Sequence, residues 1–483
     1  MARDARRRAG TELVAFVALA ASVCALTVAA TRPPPAPVDR ASLPPNVILI
    51  LSDDQTYDSL PSRPASMPWL QSEIFDPGGH WLWFPQAFLS TPLCCPSRAT
   101  ILSGGYAHHT GVQGNGDGVN FDETDTLATR LDDAGYETAL IGKYLNEYPW
   151  TRGPYVPLGW DRWVGKRNTD KGTTYESYNL IDQGVPLFVG DYPGGYATDR
   201  LGEYALDFLR AQPTDRPYFL FFAPSAPHSP WIPARRDRGS FADARVPMAP
   251  RRAMNSVRGA PPWVRDLQPI DDRFRVQLER WRRRESETLL SLDDAVRRIV
   301  QEVRDRGELR RTVFIFMTDN GWSFGQHRWV GKRCAYDPCI RTPLAIRSPW
   351  VDAATLDQVI SNVDIAPTIA ELAGTTAPLS DGLSLAPLVL GETTDRATDA
   401  RNGILIEWAG DAEVPPWQGV RTANFSYIET KGGSVELYDV GGALGLPDPW
   451  QLHNRADDPR YARVRAELAA RLQGLLGAGD SHG

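Results

Sequence analysis

The sequence predicts an α/β fold: buried strands alternating with helices, followed by a smaller C-terminal α+β unit. Three apolar runs carry the first part, at 46–51 (Asn-Val-Ile-Leu-Ile-Leu), 218–223 (Tyr-Phe-Leu-Phe-Phe-Ala) and 312–317 (Thr-Val-Phe-Ile-Phe-Met). Runs this short and this apolar fit strands covered on both faces, as in a parallel sheet. Each leads into polar residues: Ser52-Asp53-Asp54, then Ser225 to His228, then Thr318-Asp319-Asn320-Gly321. Open α/β sheets place their active sites at that edge.

Helical stretches lie between the runs. Residues 127–134 end at Gly135, 200–211 are followed by Pro213, and 274–306 form a long amphipathic pattern. In the long stretch Leu278, Trp281, Leu289, Leu290, Leu292, Ile299 and Val300 are the candidate inward residues, and its Arg and Glu read as a solvated face. Residues 148–195, rich in Gly, Tyr and Trp, read as long loops of the kind that often carry function. Near residue 395 the texture changes to short strands at 403–408, 425–429 and 435–440, then a helix over 459–476.

With 483 residues, two domains are expected, placed at 45–395 and 396–483. Hydrophobic residues at 42% and charged residues at 23% are ordinary for a globular chain. A net charge of −7 gives little reason to expect a nucleic-acid partner. Residues 1–10 carry four Arg, residues 11–30 are almost all apolar or small, and a Pro-rich linker spans 31–44. That order fits an export signal, and the run is nearly long enough to act as a membrane anchor. The chain is therefore expected to be exported, either secreted or associated with the cell envelope. Of five cysteines, Cys94 and Cys95 are adjacent and unsuited to bridging each other. Cys334 and Cys339 read equally well as a small-loop disulfide or as two buried thiols.

Two pairs of oxygen donors at strand ends suggest a cation. Asp53-Asp54 and Asp319-Asn320 together form a hard, all-oxygen donor set suited to Ca²⁺ or Mg²⁺. The sharpest signal is Cys94-Cys95-Pro96-Ser97-Arg98, running into Ala99-Thr100-Ile101-Leu102-Ser103-Gly104. Two buried cysteines before a helix would explain the proline and the helical run, but not the ordered Cys-x-Pro-Ser-Arg.

That string resembles the signature of the type I, formylglycine-dependent sulfatases, in which the first cysteine is oxidised to an aldehyde. The resemblance continues along the chain: Gly142-Lys143-Tyr144-Leu145-Asn146-Glu147-Tyr148, Ala226-Pro227-His228-Ser229-Pro230-Trp231, Thr318 to Gly321, Gly331-Lys332, and Glu436-Leu437-Tyr438-Asp439. It implies an alkaline-phosphatase-like mixed sheet flanked by helices. It also implies Cys94 as the modified nucleophile, with Arg98, Lys143, His228 and Lys332 completing the catalytic set. Lys143, His228 and Lys332 would bind the substrate. The implied metal site is Asp53, Asp54, Cys94, Asp319 and Asn320, holding one divalent cation, with Ca²⁺ favoured over Mg²⁺.

The expected reaction releases inorganic sulfate through a formylglycine hydrate and a covalent sulfate hemiester. The lysine and histidine motifs look like those of the N-acetylglucosamine-6-sulfatase and heparan-endosulfatase branch, which implies a sulfated sugar or glycan substrate and a formylglycine-generating maturation system. One departure is Leu145, where many family members carry a histidine; Asn146 or a solvent molecule is the expected substitute. His108-His109 and His327 are weaker candidates for the substrate site or for structure. Two rival readings share the same residues. One is a formylglycine phosphonate or phosphodiester hydrolase, and the other a sugar-binding pseudosulfatase without catalysis.

Overall fold

The first strand, β1 (Asn46–Ser52), sits at the centre of the molecule because both of its faces are apolar. Val47, Leu49 and Leu51 enter one hydrophobic cluster, and Ile48 and Ile50 enter another on the opposite face. A strand's side chains alternate in this way, so a continuous apolar run needs cover on both sides. This computed structural model describes residues 43–477 except 147, 149–152, 167–174, 380 and 394–402. The expected export segment over 1–30 lies outside the described residues.

The main sheet has ten strands. After β1 come β2 (Trp81–Phe84), β3 (Glu137–Gly142), β4 (Arg162–Lys166), β5 (Tyr178–Asp182) and β6 (Val185–Val189). They are followed by β7 (Tyr218–Ala223), β8 (Thr312–Thr318), β9 (Leu344–Arg347) and β10 (Ala354–Thr355). Their spatial order is β10-β2-β9-β8-β1-β7-β3-β4-β5-β6. The central strands β8, β1, β7, β3 and β4 run parallel, whereas β9 pairs antiparallel with β8, and β5 and β6 form an antiparallel hairpin. The sheet is therefore mixed.

Helices cover both faces. On one side lie α1 (Cys94–Ser103), α2 (Leu127–Asp133) and α5 (Ile365–Leu372); on the other lie α3 (Ala197–Ala211) and α4 (Asp272–Asp305). In α4, Leu278, Leu289, Leu292, Ile299 and Val300 are buried as expected, while Trp281 and Leu290 are only partly covered. Its polar face is not wholly solvated, however. Arg282 and Glu285 are buried, paired to each other at 2.8 Å, and Glu285 accepts both the backbone N–H and the hydroxyl of Thr56. A buried charge is tolerated where it is paired and hydrogen-bonded, and here the pair braces the turn that follows β1.

Residues 148–195 are not all loop. They contain β4, β5 and β6, which extend the sheet through a tight turn at Gln183-Gly184, both at positive φ. A smaller antiparallel sheet follows: β11 (Ile404–Trp408), β12 (Trp417–Arg421), β13 (Phe425–Thr430) and β14 (Ser434–Asp439). The helix α6 (Ala462–Gly477) buries Leu468 and Leu472 against it. This is the expected α+β unit, with β12 as an additional strand. It joins the main body through a shared apolar cluster that includes Phe88, Trp329, Tyr336, Ile406 and Trp417. Among the described residues, no helix is long and apolar enough to cross a membrane.

Candidate active site

Strand register brings the polar residues to one level. Ser52 pairs with Thr318, Ile50 with Phe222, and Gly142 with both Ala223 and Gly165. Just beyond the ladder the backbone N–H of Asp319 donates to Ser52 O (3.1 Å), and that of Lys143 donates to Ala223 O (2.7 Å). Asp53, Asp319 and Lys143 thus leave parallel strands of the central sheet at the same edge. Gly142 is required there: it adopts φ +131°, and a β-carbon would stand 2.0 Å from Ala223 O.

Asp54 adopts φ +61°, a left-handed conformation uncommon for a residue with a side chain and frequent at functional sites. Its N–H donates to Asp319 Oδ1 at 3.2 Å, which ties the two strand ends together. Cys94 is the first residue of α1, whose ten residues are all buried. Arg98 lies four residues on, on the same helical face. It donates from Nε to Asp319 Oδ2 (2.7 Å) and from a terminal nitrogen to Lys143 O (2.7 Å).

The predicted residues converge on one cleft. Cys94 Sγ lies 3.5 Å from Asp53 Oδ1 and 3.7 Å from Asp54 Oδ1. Lys143 Nζ donates to Asp53 Oδ2 at 2.6 Å. Lys332 Nζ is 2.7 Å from both Asp54 Oδ1 and Cys94 Sγ. Asn320 Nδ2 donates to Asp54 Oδ1 (2.7 Å), and His228 Nε2 is 3.4 Å from Asp54 Oδ2. The His228 ring is held from its other side by Ser229 O at 2.5 Å and is the most exposed of the set.

Charge explains how so many ionisable groups share a dry site. Three carboxylates (Asp53, Asp54, Asp319) face three cations (Arg98, Lys143, Lys332). Burial pushes Asp53 and Asp54 upward, but the cations around them win and hold both below the usual carboxylate range. At Asp319, burial and the charge of Asp53 prevail over Arg98, and its carboxyl is raised. Burial also drives the Cys94 thiol far above its ordinary range despite Lys143 and Lys332. As a plain thiol, Cys94 would be a weak nucleophile.

Four of these side chains form a candidate metal site. Ligand atoms of Asp53, Asp54, Cys94 and His228 lie within 4.8 Å of one another. Two buried oxygens, Asp54 Oδ2 and Asn320 Oδ1, accept no hydrogen bond, and each is free for a metal.

Other sequence candidates lie elsewhere. His108 pairs with Glu407 and His109 with Asp381, at 2.8 and 2.6 Å. His327 is buried, bonded to Ser256 O and packed on Tyr336. Leu145 belongs to the apolar core, and Asn146 accepts the Cys95 thiol at its carbonyl (4.0 Å). Lys166 was missed because its strand was read as loop. It follows Gly165, the strand partner of Gly142, and so lies beside Lys143. Burial and the positive charge of Lys143 lower it to about 8 against the opposing charge of Asp53, and it forms no ion pair among the described residues. Its ammonium faces the Tyr178 ring at 5.8 Å.

The loop bearing Lys332 is fixed from the small sheet. Cys334 and Cys339 form a disulfide, which settles the choice left open by sequence. Asp337 accepts two bonds of 3.0 Å from Arg421 of β12, and Tyr336 donates to Glu436 of β14 (2.9 Å).

A covered mixed sheet whose parallel strands end in carboxylates and cations, beside a helix-borne cysteine, is a setting for chemistry on an anionic ester. The chain belongs to the sulfatase family, whose model (Sulfatase) matches residues 45–375, and it is a sulfuric ester hydrolase. A second model, described as N-sulphoglucosamine sulphohydrolase, C-terminal, matches 325–477. Human N-acetylglucosamine-6-sulfatase is 33% identical over 395 residues, covering 76% of this chain and 68% of that protein. The Drosophila melanogaster extracellular sulfatase SULF-1 homolog is 32% identical over 77% of this chain but only 33% of its own length. A solved enzyme in complex with its substrate D-glucosamine-2-N,6-O-disulfate superposes with TM-score 0.77 at 23% identity, covering 90% of this chain and 99% of that one. The phosphonate monoester hydrolase of Agrobacterium radiobacter superposes with TM-score 0.70 at 21% identity, covering 90% and 96%. Both confirm the mixed-sheet fold.

Proposed function

We propose that this sulfatase removes sulfate from a sulfated amino sugar, with Cys94 present as formylglycine in the active enzyme. The carrying observation is the position of Cys94 Sγ, which stands in for the aldehyde-derived oxygens, between Asp53, Asp54 and Lys332. The hydrated aldehyde supplies two hydroxyls on one carbon: one to attack sulfur, the other to expel sulfate when the aldehyde reforms. A divalent cation held by Asp53, Asp54, Asp319 and Asn320, with Ca²⁺ favoured, would lower the pKa of the attacking hydroxyl and polarise a sulfate oxygen.

In this reading Arg98 orients Asp319, while Lys143 and Lys332 offset the charge that builds on the transferring group. His228, at the exposed rim, donates a proton to the departing sugar oxygen as the S–O bond breaks. Three carboxylates face three cations, with Lys166 nearby as a fourth, so a dication would leave a positive surplus that suits an anionic ester. The amino-sugar assignment is supported by the N-acetylglucosamine-6-sulfatase similarity. Export is supported by the Cys334–Cys339 disulfide, since such bonds persist in oxidising compartments. The unit around the small sheet would be a subdomain of one enzyme rather than a separate module.

Mass spectrometry of the Cys94 peptide from the native source tests the chemistry. A loss of about 18 Da accompanies replacement of SH and H by a carbonyl oxygen. Sulfate release should be assayed in parallel on N-acetylglucosamine 6-sulfate, an aryl sulfate and a phosphonate monoester. Unmodified Cys94 in active protein would sink the mechanism, and faster phosphonate turnover would replace the substrate.

A further inference from the structure

Charge is distributed very unevenly along this chain. Residues 235–284 hold fourteen arginines, no lysine and six acidic residues, a net of +8, so the remainder carries −15. Arginines elsewhere are commonly matched by carboxylates, as in Arg130–Asp125, Arg216–Glu137 and Arg333 with Asp411 and Glu413. Within 235–284 the matching fails around one depression. A groove of about 940 Å³ is lined by Arg63, Arg245, Arg251, Arg275 and Arg283, with Asp243 and Glu279 as its only acids.

The pairing inside this groove is incomplete. Arg251 is held by Asp272 (2.5 Å) and Arg275 by Glu279, but Arg63 and Arg245 are exposed and have no partner among the described residues. Among the described residues Arg283 donates only to the Ala244 carbonyl, at 3.3 Å. Unneutralised guanidinium groups crowded into a concavity repel one another and concentrate anions from solution. Planar guanidinium groups also match the oxygen edges of sulfate and carboxylate.

The groove's position gives it a purpose. It abuts a second cavity of about 290 Å³ along Pro247, Met248 and Ala249. That cavity is lined by Thr56, Tyr57, Trp322 and Arg341, and Thr56 is two residues beyond Asp54. Aromatic walls of this kind stack on sugar rings. We propose that the arginine groove is a docking surface for the polysulfated chain of a polysaccharide, holding the polymer while one of its residues is presented to the cleft. This rests on the sulfated-sugar reading above, and it extends that reading from a single residue to a chain.

The test uses the full-length protein, with heparin as the polysulfated probe and de-sulfated heparin and duplex DNA as controls. Affinity is measured across a salt series, beside turnover of a small aryl sulfate. Wild-type protein should bind heparin with an affinity that falls steeply with salt, and the desulfated chain should bind at least tenfold more weakly, about what losing several charge contacts removes. Arg63→Ala/Arg245→Ala should weaken heparin binding about tenfold and leave aryl sulfate turnover unchanged, because neither side chain forms a hydrogen bond or ion pair among the described residues. Adding Arg283→Ala should weaken it further. Unchanged heparin binding in the double variant, or equal binding of the desulfated chain, overturns the proposal. Tighter binding of DNA than heparin replaces it with a nucleic-acid surface. Arginine-dependent heparin binding with no sulfate release from any sugar would support the surface while overturning the substrate reading, so the two failures are distinct.

Discussion

The ammonium of Lys332 lies 2.7 Å from Cys94 Sγ and 2.7 Å from Asp54 Oδ1, joining the proposed nucleophile's position to the carboxylates of the candidate metal site. No other side chain of the cluster touches both. Lys332→Met keeps the aliphatic stem and removes the charge. It should lower kcat by about a hundredfold, the scale for losing one preorganised electrostatic contact. The check is steady-state turnover of an aryl sulfate by matured protein; an unchanged kcat would place Lys332 outside the reaction.

The adjacent cysteine should be dispensable. Cys95 Sγ faces the Asn146 carbonyl, and burial raises its thiol to about 12. Cys95→Ala should therefore retain turnover, whereas Cys94→Ala should abolish it. In folded protein lacking the modification, neither thiol should react with iodoacetamide at pH 8. Rapid labelling of Cys95 would contradict the burial described here.

Asn320 offers the cleanest probe of metal binding, because its Oδ1 is buried without a hydrogen bond. After chelation, adding Ca²⁺ or Mg²⁺ should raise the melting temperature, as any ligand of the folded state does. Asn320→Ala should shift the cation titration by at least tenfold, in line with changes at other metal sites. A melting curve indifferent to divalent cations would remove the metal from the mechanism.

Lys166 should act on substrate affinity. Its pKa of about 8, lowered by burial and Lys143, means that it loses its charge as pH rises through that value. KM for an anionic ester should then increase above pH 8 in the native enzyme. Lys166→Met should raise KM about tenfold at pH 7, the worth of one charged hydrogen bond, and flatten the dependence near pH 8. An unaltered KM would make it a packing residue.

Glu436 links stability to pH. Burial raises its carboxyl to about 7, with the Tyr438 and Tyr336 hydroxyls opposing. The folded state thus holds a proton that the unfolded state releases near 4.5. Its favourable contribution is full below that pH and is lost as pH climbs through 7. The swing is about 3 kcal/mol. Glu436→Gln should remove this dependence and be more stable than the native protein at pH 8, by denaturant unfolding at pH 5 and 8.

How far the sequence could be read depended on burial and strand length. β1, β7 and β8 were legible because each is apolar on both faces and ends in polar residues, and their ends carry Asp53, Asp54, His228, Asp319 and Asn320. The edge hairpin β5–β6 was not: Val185 to Phe188 are exposed, so no alternation marked them, and β4 was lost with them. β12 was hidden by Gly419, where a β-carbon would meet Tyr427 O at 2.2 Å. Arg282 and Glu285 looked like surface charges because their partners, Asp58 and Thr56, are more than two hundred residues away in sequence.

Under the proposed conversion of Cys94 to formylglycine, the complete burial of α1 dictates an order of events. Cys94 is 1% exposed, beneath Asp53, Asp54 and Lys332, on a helix with no solvent-facing residue. A modifying enzyme must hold this cysteine in its own active site, so it has to meet the chain before the sheet and helix close around it. On that reading, molecules that fold first would keep a buried, inert thiol at Cys94, out of reach of any modifying enzyme supplied later. The specific activity of a preparation would then record a race run during biosynthesis, between modification and folding in the cell that made it.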